Sequence, residues 1–248
     1  MAASIVVVQE RMDPIASSAT IPPPMSQTSP ESKACRPGFG AYFFQLVLGA
    51  LCYLFFVVPY VRRIRGLGRI TREHRLYVSN HVSLLDTIAI GGLFWSRARL
   101  PILVLGDREV WHKTPVHRFL SAYVGYLIDR GKTARGLIEG LRSYGQSHAG
   151  FNLFVFPEGT RGDGATVGPC QPGVQTVAQA ADIPIVPLFI AHMQDVSSKH
   201  TRFRPLAGLR RVELIFGDEI APERYRGLDR EAFGQLIQSE IQALAPSS

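Results

Sequence analysis

A histidine and an aspartate five positions apart have the side chains needed for acid–base chemistry. They are His81 and Asp86 in the stretch SNHVSLLD, which lies between the apolar runs Leu76–Val78 and Ile88–Ile90. A carboxylate that accepts a hydrogen bond from one imidazole nitrogen fixes the ring tautomer and leaves the other nitrogen free as a base. It also stabilises the imidazolium that forms when the base takes a proton. The pair therefore predicts a two-residue general base.

The spacing of this pair sets a condition on the local structure. Five residues of a regular helix turn by about 500°, so the two side chains would face apart if they shared one helix. We therefore expect His81 in a turn before the helix, folded back over a first helical turn that contains Asp86. A second interpretation remains open, because Ser83 to Asp86 also fits a helix-capping box. In that case His81 is an ordinary loop residue.

Three other apolar stretches end in polar side chains or contain a proline. They read YLIDRGK at residues 126–132, FPEGTR at residues 156–161 and IPIVPLFI at residues 183–190. Each is a weak signal by itself, because a polar turn or a buried strand accounts for it. The motif G-x-S-x-G, typical of a serine nucleophile, is absent from the sequence.

The elements that must position these stretches alternate along the chain from residue 75 onwards. Strand-like segments are 75–78, 101–105, 126–129, 152–156, 183–190 and 211–216, and helix-like segments are 83–94, 116–123, 133–146, 172–180 and 230–244, with Asp229 as a candidate cap. Such alternation favours an α/β fold, a sheet flanked by helices. In such sheets the chemistry lies at strand ends and in the loops beyond them.

The first 68 residues differ in composition from the rest. Residues 1–37 are rich in Pro, Ser and Thr without a hydrophobic period, and we expect a disordered tail there. Residues 38–68 contain the uncharged stretch Phe39–Val61 and then a run of arginines, which predicts a membrane-associated helical segment, spanning or monotopic, with a basic cytoplasmic flank. A buried core helix is the alternative. Residues 69–248 form the remaining domain.

The net charge of +7 at a sequence pI near 9.6 favours an anionic partner. Nucleic acid is the less favoured partner, because the arginine run adjoins an apolar segment and no nucleic-acid-binding motif is present. Membrane lipids fit both features. The three cysteines and seven histidines show no metal-ligand spacing, so we expect no metal site.

In this order, the four stretches resemble the motifs of the glycerolipid acyltransferases, the family of 1-acylglycerol-3-phosphate acyltransferases. NHVSLLD resembles the family's N-H-x-x-x-x-D motif, YLIDRGK its second motif and IPIVPLFI its fourth, and FPEGTR matches the third letter for letter. The likeness covers roughly residues 75 to 195. It implies a mixed α/β sheet flanked by helices, with residues 69–248 as the acyltransferase domain.

The resemblance also implies a role for each motif residue. His81 is then the general base and Asp86 its orienting partner, and the substrate-binding residues are Arg130, Glu158, Gly159, Thr160 and Arg161. The implied reaction moves a fatty acyl group from acyl-CoA or acyl carrier protein to the free hydroxyl of a lysolipid. The implied acceptor is 1-acylglycerol-3-phosphate, which gives phosphatidic acid. No cofactor is implied beyond the acyl donor.

Two departures from the family pattern keep other functions open. Gln171 stands where the family commonly has a lysine after the third motif, and residues 106–109 read GDRE where a Lys-Lys-Glu run is usual. The alternative acceptor is lyso-ornithine lipid or another lyso-aminolipid. A non-catalytic membrane lipid-binding protein is the remote alternative.

Overall fold

The computed structural model describes residues 39–98, 102–107, 125–128, 152–201 and 203–246. Within these ranges the strands are β1 (Val61–Arg65), β2 (Arg75–Ser79), β3 (Ile102–Asp107), β4 (Gly125–Ile128), β5 (Asn152–Val155), β6 (Ile185–Ala191) and β7 (Val212–Phe216). The α-helices are α1 (Phe39–Cys52), α2 (Val58–Tyr60), α3 (Leu85–Ala98), α4 (Pro172–Ala181), α5 (Met193–Val196) and α6 (Arg230–Gln242). A π-helical turn, Tyr53–Val57, joins α1 to α2.

The described strands form one mixed sheet in the order β1-β7-β6-β2-β5-β3-β4. Strands β6 and β7 pair antiparallel, and every other neighbouring pair is parallel. The carboxyl ends of β2 to β6 therefore lie at the same edge as the amino ends of β1 and β7. We call this edge, defined by the residues that follow β2, β5 and β6 and precede β1 and β7, the carboxyl edge.

The sheet has a hydrophobic core on each face. Alternate residues of β2 face opposite ways, so Tyr77 packs with the π-helical turn, α2 and α3, while Leu76 and Val78 pack with α4 and α6. The first core contains Phe94 of α3, and the second contains Phe233 of α6. Strand residues that are buried on both sides explain why β6 reads as a continuous apolar run.

Two glycines allow α1 and α3 to pack closely. A Cβ on Gly49 would lie 2.6 Å from the Trp95 side chain, and one on Gly92 would lie 2.6 Å from the backbone nitrogen of Tyr53. These two contacts run in opposite directions along the two helices, so the helices are antiparallel. The end of α2 therefore lies beside the start of α3, at the carboxyl edge.

The α/β fold with a mixed sheet flanked by helices is confirmed. The six strands expected from the sequence are present, with ends that shift by at most two residues. Strand β1 was not expected, because its letters VRRIR were assigned to the basic flank of the apolar segment. It pairs with β7 at the edge of the sheet, which leaves Arg62, Arg63 and Arg65 exposed.

Several predictions fall on residues that the structure does not describe: the tail at 1–37 and the helices at 116–123 and 133–146. The stretch Phe39–Val61 is helical up to Tyr60, and one side of it packs on α3. Among the described residues, no single helix combines the length and the apolarity that a bilayer crossing requires.

Candidate active site

The His81–Asp86 pair lies at the carboxyl edge, where β2 ends and α3 begins. His81 belongs to the turn after β2, and Asp86 is the second residue of α3. Nδ1 of His81 lies 2.8 Å from Oδ2 of Asp86. The Asp86 side chain is fully buried, whereas the His81 side chain keeps 16% of its surface exposed. The hydrogen bond expected from the sequence is present, with the histidine outside the helix, as the five-residue spacing requires.

The Asp86 carboxylate also caps α3. The backbone N–H groups of Val82 and Ser83 donate to Oδ2 at 2.7 and 2.9 Å. Ser83 Oγ accepts from the N–H of Leu85 at 3.3 Å, so Ser83 and Asp86 form a capping box. The two interpretations of the sequence therefore describe the same carboxylate. The N–H groups at the start of a helix favour a negative charge at this position.

The hydrogen bonds assign the neutral imidazole proton of His81 to Nδ1. A carboxylate oxygen only accepts, so Nδ1 donates and the lone pair lies on Nε2. No described residue forms a hydrogen bond with Nε2. The ring lies flat on Phe156, with centroids 3.9 Å apart and planes inclined by 19°. Nε2 is thus oriented and available to accept a proton.

The main chain of His81 is held from two sides by the loop after β5. Oε1 of Glu158 accepts the N–H of His81 at 3.0 Å, and the N–H of Gly162 donates to the His81 carbonyl at 2.7 Å. Oε2 of Glu158 accepts the N–H of Gly168 at 3.1 Å. We call these three contacts the Glu158 clamp. Both carboxylate oxygens of Glu158 therefore bind backbone groups of the protein.

The Glu158 clamp places a carboxylate in a dry environment. Glu158 is only 6% exposed, and burial raises the pKa of its carboxyl group above the usual value, an effect that the two N–H donors oppose. A Cβ on Gly162 or Gly168 would lie 2.8 or 2.9 Å from Oε2. Glycine at both positions therefore lets the backbone approach the carboxylate.

Asn80 anchors the same turn to the centre of the sheet. Its amide oxygen accepts the N–H of Ile190 at 2.7 Å, and its amide nitrogen donates to the Ile190 carbonyl at 3.0 Å. The side chain thus continues the pairing of β2 with β6 by one step. This role of Asn80, the first letter of the NHVSLLD motif, was not expected from the sequence.

A family model described as acyltransferase matches residues 61–191, which is more than half of the chain. The chain belongs to the acyltransferase family. The matched region begins at β1 and ends with β6, so it contains the His81–Asp86 pair and the FPEGTR turn. The predicted membership of the glycerolipid acyltransferases is confirmed.

Two curated relatives differ in the acceptor that they are named for. A lyso-ornithine lipid O-acyltransferase of Pseudomonas aeruginosa is 29% identical over 132 residues, which are 53% of this chain and 48% of that protein. A probable 1-acyl-sn-glycerol-3-phosphate acyltransferase of Mycoplasma pneumoniae is 29% identical over 173 residues, 67% of this chain and 64% of that protein. The chain thus spans about half of the first relative and under two thirds of the second.

A solved structure shares the fold. The crystal structure of the 1-acyl-sn-glycerophosphate (LPA) acyltransferase PlsC from Thermotoga maritima superposes with a TM-score of 0.58 at 19% sequence identity. The likeness covers 82% of this chain and 78% of that chain. It supports the acyltransferase fold described above.

The FPEGTR turn of this acyltransferase family member points three of its residues outwards. Gly159, Thr160 and Arg161 are exposed, and Gly159 adopts a φ of 64°, a left-handed conformation that suits glycine. No carboxylate of a described residue pairs with Arg161. Because Gly162 donates to the His81 carbonyl, Arg161 is the residue directly before a contact with the turn that contains His81.

Two positions bear on the acceptor. Gln171, at the position of the expected lysine, precedes α4, and its N–H donates to the Pro157 carbonyl at 2.8 Å. A cation there would lie close to the FPEGTR turn, and this chain lacks it. Arg130 lies outside the described residues. Within the described ranges, no group of three or more His, Cys, Asp or Glu side chains is arranged to hold a metal ion.

Proposed function

We propose that this chain transfers a fatty acyl group from a thioester to the free hydroxyl of a lysolipid. The observation that carries the proposal is the His81–Asp86 hydrogen bond at 2.8 Å at the carboxyl edge, which leaves Nε2 without a hydrogen-bond partner among the described residues. Membership of the acyltransferase family supports the same reaction. The acyl donor is acyl-CoA or acyl carrier protein, as expected from the sequence.

The reaction balances with this pair alone as base and acid. The acceptor hydroxyl gives its proton to Nε2 of His81 while its oxygen attacks the thioester carbonyl. Asp86 Oδ2 holds Nδ1–H and stabilises the imidazolium. When the tetrahedral intermediate collapses, the C–S bond breaks, and the leaving thiolate takes the proton from Nε2. The products are the acylated lipid and a free thiol, and His81 returns to its neutral form.

The surroundings of His81 suit the two ends of a lysolipid. Leu84, just before α3, and Ile88, in the first turn of α3, are 57% and 37% exposed, which gives an apolar surface close to the pair in sequence. Arg161 is exposed directly before Gly162, which contacts His81, and arginine binds phosphate or carboxylate through two parallel hydrogen bonds. We propose that Arg161, with Arg130, Gly159 and Thr160, binds the acceptor headgroup.

The proposed acceptor is 1-acylglycerol-3-phosphate, with lyso-ornithine lipid as the second candidate. The Mycoplasma relative and the FPEGTR motif favour the phosphorylated acceptor. The missing cation at Gln171 and the Pseudomonas relative favour the lyso-aminolipid, because it carries less negative charge. In both cases the acceptor is a membrane lipid, and we propose a membrane location with the active site on the cytoplasmic face.

The test uses the purified full chain, a panel of lysolipids and labelled acyl-CoA or acyl carrier protein. His81→Ala should lower turnover by about 10²–10⁴-fold, because a general base contributes that much. The ratio of initial rates on lysophosphatidic acid and lyso-ornithine lipid identifies the acceptor. Arg161→Ala should erode a preference for the phosphorylated acceptor. Near-normal turnover by a pure, folded His81→Ala variant would refute the proposed mechanism.

A further inference from the structure

Three large apolar side chains stand out from the loop before β7. This loop, residues 203–211 with the sequence FRPLAGLRR, is called the 203–211 loop. Phe203 is 50% exposed, Leu206 82% and Leu209 44%. Single exposed apolar residues are ordinary, but three within seven residues form a patch of the kind that marks an interaction surface.

The backbone of the 203–211 loop is tied to its surroundings, so this exposure is imposed by the fold. The N–H of Arg204 donates to the Val196 carbonyl at 2.8 Å. The N–H of Arg210 donates to the Pro59 carbonyl at 2.9 Å, and its guanidinium donates to the Val61 carbonyl at 3.1 Å. The loop is therefore attached both to the end of α5, the short helix that follows β6, and to the end of the α1–α2 helical segment.

The α1–α2 segment carries a second set of exposed apolar side chains. They recur every three or four residues and so share one side of the helix, which we call the helix stripe: Phe43, Val47, Leu51, Leu54, Phe55 and Val58. Tyr60, just beyond Val58, packs against Phe203 with ring centroids 5.8 Å apart and ring planes inclined by 56°. The helix stripe thus ends beside the 203–211 loop.

Positive charge surrounds the junction of the two apolar surfaces. Arg62 and Arg63 are exposed on β1, and Val61 pairs with Val212, which places them next to Arg211. Within the described residues, no carboxylate pairs with Arg62, Arg63 or Arg211. A cleft of about 240 Å³ opens in the loop itself, lined by Asp195, Arg204, Ala207 and Arg211.

This combination fits the surface of an anionic bilayer. Apolar side chains enter the acyl region of a lipid layer, while neighbouring arginines contact the phosphates of the headgroups. The charge therefore argues against a second copy of this chain as the partner, because the same cationic rim would meet itself. The single carboxylate of the cleft, Asp195, leaves its net charge positive.

We propose that the 203–211 loop is a bilayer contact that acts with the helix stripe. Both surfaces reach the carboxyl edge. Binding through them therefore places this edge, which contains His81, against the membrane. The contact uses a segment beyond residues 61–191, the region that the family model matches. This orientation would give His81 access to a lysolipid within the membrane, a role that rests on the proposed function.

The first test is binding of the full chain to vesicles of phosphatidylcholine with phosphatidylglycerol, measured by co-sedimentation. Leu206→Glu should lower the partition coefficient by about 10–100-fold, the value of burying one leucine side chain. Gln235→Glu is the matched control: it adds the same charge on an exposed site of α6, which packs on the opposite face of the sheet. This control should bind as the wild type does.

The second test removes charge rather than apolar surface. The double variant Arg204→Gln/Arg211→Gln should weaken binding to the anionic vesicles by about fivefold for each arginine. Binding to vesicles of phosphatidylcholine alone should change little. Arg230→Gln, an exposed arginine at the start of α6, is the matched control and should behave as the wild type.

Three results would overturn the proposal. One is a Leu206→Glu variant that partitions as the wild type does, and another is equal binding of the wild type to anionic and neutral vesicles. The third is a wild-type dimer in vesicle-free solution that Leu206→Glu dissociates while its vesicle binding stays unchanged. Leu206→Ser, with thermal unfolding, checks that a loss of binding is not a loss of fold.

The bilayer contact and the proposed reaction can fail separately. His81→Ala should bind vesicles as the wild type does, even though it is expected to lose acyl transfer. Leu206→Glu should keep its rate on a dispersed short-chain lysolipid and lose rate on the same headgroup embedded in vesicles. A rate on the dispersed substrate that falls as much as the vesicle rate would contradict the assignment of Leu206 to membrane contact.

Discussion

Glu158→Gln separates two roles for the glutamate of the FPEGTR motif. The sequence resemblance implies that Glu158 binds substrate, whereas the structure shows both its oxygens bound to backbone N–H groups, those of His81 and Gly168. Glutamine has nearly the same shape but only one acceptor oxygen. One of the two N–H groups must then face an amide NH₂, which is also a donor. The change therefore breaks one of the three contacts of the Glu158 clamp, which is one of the two that Glu158 makes.

The magnitude follows from the contacts that are lost. A hydrogen bond to a charged acceptor contributes about 1.5–3 kcal/mol, and a buried donor left without a partner costs about 1–3 kcal/mol. Relief of the buried charge offsets part of this. We expect the free energy of unfolding to fall by about 2–3 kcal/mol. A displacement of the His81 turn by about 1 Å would lower kcat by about 10²-fold.

The measurements are urea unfolding and steady-state kinetics of the full chain with a fixed lysolipid acceptor. A positioning role predicts a lower kcat with a nearly unchanged KM for the acceptor, together with the loss of stability. The matched control is Asp163→Asn, which removes an exposed carboxylate from the same loop. Because Asp163 does not contact the His81 turn, its kcat should stay close to that of the wild type.

The opposite pattern would refute this reasoning. If Glu158 binds the acceptor, as the resemblance implies, Glu158→Gln should raise KM for the acceptor and leave the free energy of unfolding unchanged. A Glu158→Gln variant that is destabilised as expected but has an unchanged kcat would also contradict the positioning role. It would show that the His81 turn keeps its position when Glu158 has lost one of its two N–H hydrogen bonds.

Three further predictions follow from the same contacts. Asp86→Asn should fold, because its amide oxygen can take the place of Oδ2, but the new NH₂ lies at the buried Oδ1 position, for which no described residue is a partner. We expect Asp86→Asn to lower the free energy of unfolding by about 1–3 kcal/mol and kcat on the order of 10²-fold or more. A variant with the kcat of the wild type would contradict the role of the carboxylate in orienting His81. Gly162→Ala places a Cβ 2.8 Å from Glu158 Oε2 and should lower kcat. Gly173→Ala is the control, because a Cβ there would have no atom within 4 Å, and its kcat should not change. Equal kinetics of the two variants would contradict the close approach of Gly162 to Glu158. Burial raises the pKa of Glu158, so the folded state holds its proton more tightly than the unfolded state does. This group therefore contributes its full stabilisation of the folded state below its unfolded pKa. The contribution is lost as pH rises through the folded pKa. Urea unfolding against pH should show this fall in the wild type, relative to Glu158→Gln, in the window just above the unfolded pKa near 4.5.

The parts of the fold that the sequence predicts well are those with a strong local pattern. Strand β6 is apolar throughout, and α6 has both a cap and an apolar face, so its cap at Asp229 is found as expected, with Oδ1 accepting the N–H of Ala232 at 2.8 Å. Strand β1 lacks such a pattern. It is an edge strand with three exposed arginines, and only its pairing with β7, distant in sequence, makes it a strand.

At the site, the contact between His81 and Asp86 was predictable because the two residues are only five positions apart. The Glu158 clamp was not predictable, since it joins residues 77 positions apart. It also uses the backbone of His81, and a backbone contact does not depend on the residue type. The same limit applies to Asn80 and Ile190, 110 positions apart. The residue types that indicate the clamp are Gly162 and Gly168, two small residues that follow the buried carboxylate in the sequence. Their role can be interpreted only once the fold is known.

The contacts around His81 each remove a different freedom of the side chain. Asp86 fixes the rotation of the ring through Nδ1, Phe156 fixes the plane of the ring, and the clamp of Glu158 and Gly162 fixes the peptide from which the side chain grows. Among the described residues, no group forms a hydrogen bond with Nε2. Because Asp86 caps α3 and Glu158 joins two loops, the groups that orient the base are also groups that hold the fold together. Catalytic geometry and stability at this edge therefore share the same hydrogen bonds, and a loss of one should be accompanied by a loss of the other.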